Sequence, residues 1–359
     1  MPKSNQNKAQ MNANYEILAK KNKKLFEMNR RCLFSDVGCT SKPINSHLIQ
    51  KAAILKIADK TNHVYSFFSP SFNEFNRIYS DAVYLPKKIS ASKASTFKGF
   101  CNIHDAELFG CIEKEEIKPT PKQLHALHLR AMARLYCNHE GLSKAIDNLL
   151  CYKYLNELNI KTQLLDLADE RKCRDRSRQR IIKEKKALVS TTESSISKMQ
   201  SYIFLRLKEV PNIMCSAKFV PTFNFNGDIL TINDIPKVSQ FWCVTISSDI
   251  KGGYVILQWN EEDELIKQVV SSFCESHFEI NKLLAMCMLF SNFIFQINWW
   301  DTLKKDEQEI IMHFAMNSYF KRKLNDLDVP RKMYKHFLSK KIRLVNWTII
   351  DKQTNSQKW

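Results

Sequence analysis

The chain has 359 residues, 44% apolar and 26% charged, a globular balance that excludes wholesale disorder. It holds only 7 Gly and 10 Pro, and neither G-x-G-x-x-G nor G-x-x-x-x-G-K-[ST] occurs, so dinucleotide and P-loop nucleotide sites lose their usual support. The net charge of +18 gathers in residues 1–31 (+6), 170–186 (+6) and 321–359 (+8), leaving the rest near neutral. Such concentration favours a polyanion partner, because each Lys or Arg set against a phosphate releases counterions; solubility alone is the plainer reading.

Met1-Pro-Lys-Ser is polar and lacks the apolar core of a secretory signal, so a cytoplasmic location is expected, with its cysteines reduced. Residues 1–31 read as a basic tail with a short helix from Tyr15 to Met28. Residues 32–118, rich in Cys, His and aromatics, read as a metal-organised domain. Pro119 and Pro121 mark a boundary, and residues 119–200 read as a helical arm, with a self-association surface along it. Leu124, Leu127, Ala131 and Leu135, then Leu142, Ala145 and Leu149, recur at helical spacing, giving one helix or two broken at Gly141.

From residue 201 to 359 the texture changes. Runs beginning at Tyr202, Lys218, Ile229, Phe241 and Tyr254, parted by Asn226-Gly227-Asp228 and Lys251-Gly252-Gly253, predict a small antiparallel sheet. Helices follow to about Asn325, then a basic tail with a last β-like run from Val345 to Ile350. The most apolar stretch, Leu283 to Trp300, contains Ser291, Asn292, Gln296 and Asn298, so it reads as a buried helix and no membrane association is expected. The class is α+β.

The sharpest signal lies between residues 32 and 105. Cys32 and Cys39 form C-x6-C around Gly38, and Cys101 and His104 form C-x2-H. Two short-range chelates from separate segments are what a tetrahedral structural zinc ion requires, and Gly38, Gly99 and Gly110 allow the tight turns. The plainer reading is two buried cysteines and an incidental C-x2-H.

Ser46-His47-Leu48-Ile49 resembles the Asp-His-Ile segment of HNH (ββα-metal) endonucleases, and Phe100-Cys101-Asn102-Ile103-His104-Asp105 resembles their Leu-Cys-x-x-Cys-His segment. The resemblance covers about 75 residues and implies an N-terminal zinc-bound HNH-like ββα domain. It makes Cys32, Cys39, Cys101 and His104 the zinc ligands, His47 the general base, and Asp105 a ligand of a catalytic Mg²⁺ or Mn²⁺. Ser46 replaces the family's acidic residue, no counterpart of its Asn stands out, and 53 residues separate His47 from Cys101. The implied function is phosphodiester hydrolysis in DNA or RNA, by analogy in phage defence or a mobile element. The alternative is a non-catalytic zinc module that binds nucleic acid or protein.

Other patterns carry less. Arg174, Arg176, Arg178 and Arg180 make a basic rod suited to tracking phosphates. His125 and His128 share a helix face but lack a third ligand and read, with His139, as ordinary helix residues. Phe219, Phe223 and Phe225, with Trp242, Trp259, Trp299 and Trp300, read as core.

Overall fold

The structure, a computed structural model, describes residues 17–27, 30–68, 78, 83–150, 175, 179, 181–183, 185–186, 200–230, 242–320 and 328–355. It is α+β. Its largest feature is an eight-stranded sheet, ordered β10-β5-β8-β7-β6-β9-β2-β3, with antiparallel neighbours throughout. The strands are β2 (His63–Ser66), β3 (Lys87–Ser90), β5 (Gln200–Leu207), β6 (Ile213–Phe219), β7 (Trp242–Ser248), β8 (Gly253–Asn260), β9 (Ile294–Phe295) and β10 (Ile349–Thr354). A separate two-stranded ribbon pairs β1 (Ser46–His47) with β4 (Thr96–Phe97).

Side-chain alternation sorts the sheet residues between two cores. Ile203, Leu205 and Leu207 of β5 and Val255, Leu257 and Trp259 of β8 enter the larger core. Phe204, Tyr254 and Ile256, at the alternate positions, face the other way. The larger core is closed by α5 (Glu264–Glu275), α6 (Ile280–Phe290), α7 (Ile297–Thr302), α8 (Lys305–Phe320) and α9 (Asp328–Ser339). The opposite face is covered by α4 (Pro121–Leu150), on which the N-terminal segment in turn packs through Leu33, Phe97, Phe100, Phe109 and Ile112. A third cluster holds α2 (Lys51–Ile57) against β2, β6 and β9 through Ile54, Ile57, Val64, Met214 and Ile294.

Several expectations are corrected. The sheet is not a small one confined to residues 201–359, because the two residues of β9 bridge β6 to β2 and so splice the β2–β3 hairpin onto it. The helix starting at Pro121 does not project as an arm: Leu124, Leu127, Leu129, Met132 and Ala133 are buried between the N-terminal segment and the sheet. Gly141 does not break it. A Cβ there would meet Lys23 at 2.8 Å, so the glycine lets the first helix, α1 (residues 17–27), approach closely.

The apolar stretch from Leu283 is not one helix. At Ser291 the hydroxyl and the amide both donate to the Cys287 carbonyl, at 2.7 and 2.8 Å, and the chain turns extended into β9. Residues 328–339 are helix rather than tail: Pro330, Tyr334 and Phe337 recur at i, i+4 and i+7 and are buried. The last strand begins at Ile349, four residues later than expected, while Val345 instead trades two 3.0 Å hydrogen bonds with the Asn281 side chain. Of the five expected runs, the one at Lys218 leaves strand after Phe219. The one at Ile229 contributes an isolated bridge to Phe223.

A buried ion pair ties the N-terminal segment to the sheet. Arg206 Nη1 donates to both carboxylate oxygens of Asp249 at 2.9 Å, and its Nη2 donates to the Ile117 carbonyl at 2.7 Å. The Ile117 amide donates to Asp249 at 2.7 Å in return.

Candidate metal centre and its surroundings

The site is assembled from two turns. After Cys32 a 3-10 turn, Ser35–Val37, ends on Gly38 at φ 99°, a left-handed backbone that brings Cys39 back to donate its amide to the Phe34 carbonyl at 3.1 Å. The second turn enters α3 (Asn102–Glu113), with Cys101 in extended conformation at its N-cap and the first helical bond running from the Asp105 amide to Cys101 at 2.9 Å. Leu33 and Ile44 hold the two turns together, donating to the Gly99 and Phe100 carbonyls at 2.9 and 2.8 Å.

The ligand atoms of Cys32, Cys39, Cys101 and His104 all lie within 4.8 Å of one another. Cys39 and Cys101 sulfurs are 3.8 Å apart, and His104 Nδ1 lies 3.3 Å from the Cys101 sulfur and 3.5 Å from that of Cys32. A tetrahedral ion with Zn–S near 2.3 Å and Zn–N near 2.0 Å spaces its ligands by about 3.5–3.8 Å, so the four residues fit zinc. Phe34 stacks on the His104 ring, centroids 4.4 Å apart and 17° from parallel, which fixes the imidazole plane. Burial pushes the free Cys32 thiol up to about 11. Burial also raises Cys101, but N–H groups at the start of α3 and the neighbouring thiols outweigh it and hold Cys101 below its ordinary value. Among the described residues this is the one such Cys/His/acid group.

β1 and β4 pair as a ribbon, His47 opposite Thr96, although α2, β2 and β3 lie between them in sequence, and α3 follows β4 directly. The half-buried His47 ring sits 3.3 Å through Nε2 from the Ala91 carbonyl. A carbonyl only accepts, so Nε2 carries the proton and Nδ1 keeps its lone pair. Burial lowers the His47 pKa, assisted by the charges of Arg130 and Lys51, while the Ala91 bond and Glu113 oppose it. The ring is therefore neutral at pH 7.

Asp105 occupies the first turn of α3, and its half-buried carboxylate has one oxygen, Oδ1, sealed from solvent without a hydrogen-bond partner. The charged groups acting on His47 come instead from α2, α4 and the far end of α3. Ser46, where a carboxylate was absent from the sequence, is 1% exposed. Arg174, Arg176, Arg178 and Arg180 lie outside the described residues.

Two features carried no sequence signal. Arg130, in the middle of α4, is 1% exposed and pairs with Glu113 at 2.7 Å. Lys218 in β6 bonds the buried His128 of α4, and burial brings its ammonium down to about 7. His125 and His139 lie on the same helix. The aromatics expected in the core, Phe219, Phe223, Phe225 and the four tryptophans, are all buried there. No helix among the described residues is long and apolar enough to cross a membrane. Compared with protein-family models, curated proteins and solved structures, the chain matches none.

Proposed function

We propose that the chain is a metal-dependent nucleic-acid endonuclease of HNH-like type, built on a zinc-stabilised ββα unit. The observation that carries the reading is the placement of a neutral histidine, His47, on the ribbon that leads into α3, whose N-cap is Cys101 and whose first turn bears His104 and the orphaned Asp105 oxygen. Zinc closed by three sulfurs and one nitrogen has no open position, so it holds the fold and leaves the chemistry to other groups.

His47 Nδ1 takes a proton from water, because its Nε2 is committed to Ala91 and its pKa lies below the ordinary value. A buried carboxylate oxygen without a donor suits a hard cation, and Asp105 would hold a Mg²⁺ or Mn²⁺ ion. Such an ion, when bound, supplies Lewis-acid stabilisation of the leaving oxygen.

The alternative, a zinc-stabilised module that binds nucleic acid or protein without cutting it, is favoured by Ser46, which offers a buried hydroxyl where the family has a carboxylate.

His47→Ala separates the two. For an endonuclease it abolishes Mg²⁺- or Mn²⁺-dependent cleavage of DNA or RNA and leaves zinc content and nucleic-acid binding intact. In the wild type the acid limb of the rate profile falls below pH 6.5, because the base stays unprotonated to lower pH than free imidazole. Cleavage that survives the substitution at full rate ends the nuclease assignment to this site.

A further inference from the structure

Between α8 and α9 lies an open cleft of about 400 Å³, within the size range of small-ligand sites. Ile310, Phe314 and Met333 make its apolar floor, and Phe337 backs the Phe314 ring with centroids 5.8 Å apart. His313, Lys332 and His336, all exposed, complete the lining, which includes no acidic side chain. Lys332 pairs with Asp328 at 3.2 Å, but its side chain is 67% exposed and such a surface pair is worth little, so it yields readily to a phosphate. The cleft opens on the most basic stretch of the chain: residues 321–359 carry a net +8, and Lys335 is exposed beside the rim. Its lining takes one turn from each helix, Ile310 to Phe314 and Lys332 to His336, about 6 Å along the axes. That length suits a planar ring and is too short for an extended acyl chain.

We propose that this cleft takes a nucleotide, its base on the apolar floor and its phosphate on Lys332 and the two histidines. An imidazole stacks on a base and donates an N–H to phosphate, and an ammonium supplies a compact charge. Met333 lends a polarisable sulfur to the contact with an aromatic ring. A free nucleotide and an unpaired residue of a single strand present the same ring and the same phosphate. The assignment stands apart from the endonuclease reading, since His47, Asp105 and the four Cys/His ligands take no part in the cleft.

The test titrates the full-length protein, imidazole Cε1 labelled, with deoxyadenosine monophosphate and reads NMR at each of the nine histidines. His313→Gln and His336→Gln identify the two cleft signals, and both shift saturably in the wild type while His47 holds its position. Deoxyadenosine or inorganic phosphate alone binds at least about tenfold more weakly, because each engages half of the lining. Lys332→Gln, a change at an exposed position, weakens the monophosphate about threefold, as loss of one exposed ion pair does, and leaves deoxyadenosine unaffected. Single-stranded oligodeoxyadenylate separates the sources: saturation below the concentration the monophosphate needs marks a strand as the ligand, and the reverse order marks the free nucleotide. Octanoate that binds as tightly as the monophosphate would make this a site for apolar anions at large and overturn the proposal. So would cleft signals that ignore the monophosphate, or that answer inorganic phosphate equally well.

Discussion

Cys32, Cys39, Cys101 and His104 come from two short turns, yet their ligand atoms sit within 4.8 Å, which uncoordinated thiols have little reason to do. Ligand loss should therefore act on folding. Purified protein is expected to carry about one zinc per chain, and Cys32→Ser or Cys101→Ser to lose it and lower the melting temperature of the N-terminal segment. Metal analysis beside a thermal scan checks this; zinc-free wild-type protein with a melting profile unchanged by either substitution would sink the zinc assignment. These four residues were legible because chelate spacing is written along the chain. His47 and Asp105 stand out in the sequence only through likeness to a motif. Arg130 and Glu113 were not legible, since their bond at 2.7 Å joins α3 to α4 through helix packing, and nothing near either residue in sequence announces it.

At the scale of elements, the Arg206–Asp249 pair is the joint between the segment ending at Ile117 and the β5–β8 region of the sheet. Asp249 is fully buried and also accepts from the amides of Lys251 and Gly252 at 2.9 and 3.1 Å. Asp249→Ala leaves Arg206 buried without its counter-charge, and is expected to cost about 3–5 kcal/mol in denaturant unfolding. A loss below about 1 kcal/mol would mean that water or Glu116, 3.8 Å from Arg206, replaces the missing carboxylate. Elements with strong alternation, such as β5 and β8, were readable because each face meets its own core. The helix at residues 328–339 was hidden because Arg331, Lys332 and Lys335 dominate its composition, although its buried residues keep helical spacing. The strand at Ile294–Phe295 is two residues long, too short to impose any period.

For the whole molecule, sequence order is a poor guide to neighbourhood: a hairpin formed before residue 91 and a strand ending at Thr354 lie in one sheet. Such pairings follow from packing and leave no local pattern. Charge, by contrast, is legible without a fold, and it yields a prediction for the protein as a whole. The +18 balance resides almost wholly in three segments, and on α9 the exposed Lys332 and Lys335 stand opposite the buried Tyr334 and Phe337. Helical geometry thus turns a basic stretch into a basic face over an apolar one. Phosphate contacts made by such groups release counterions, so affinity for duplex or single-stranded nucleic acid is expected to fall steeply as salt rises. Replacing Arg174, Arg176, Arg178 and Arg180 together by Gln should shallow the log–log salt slope by about one unit for each phosphate contact removed. The same exchange at Lys332, Lys335 and Lys340 measures the share carried by α9 and the turn that follows it. Fluorescence anisotropy between low and physiological salt reads both. An affinity indifferent to ionic strength would mean that the positive charge serves solubility, and that recognition, if any, runs through other groups.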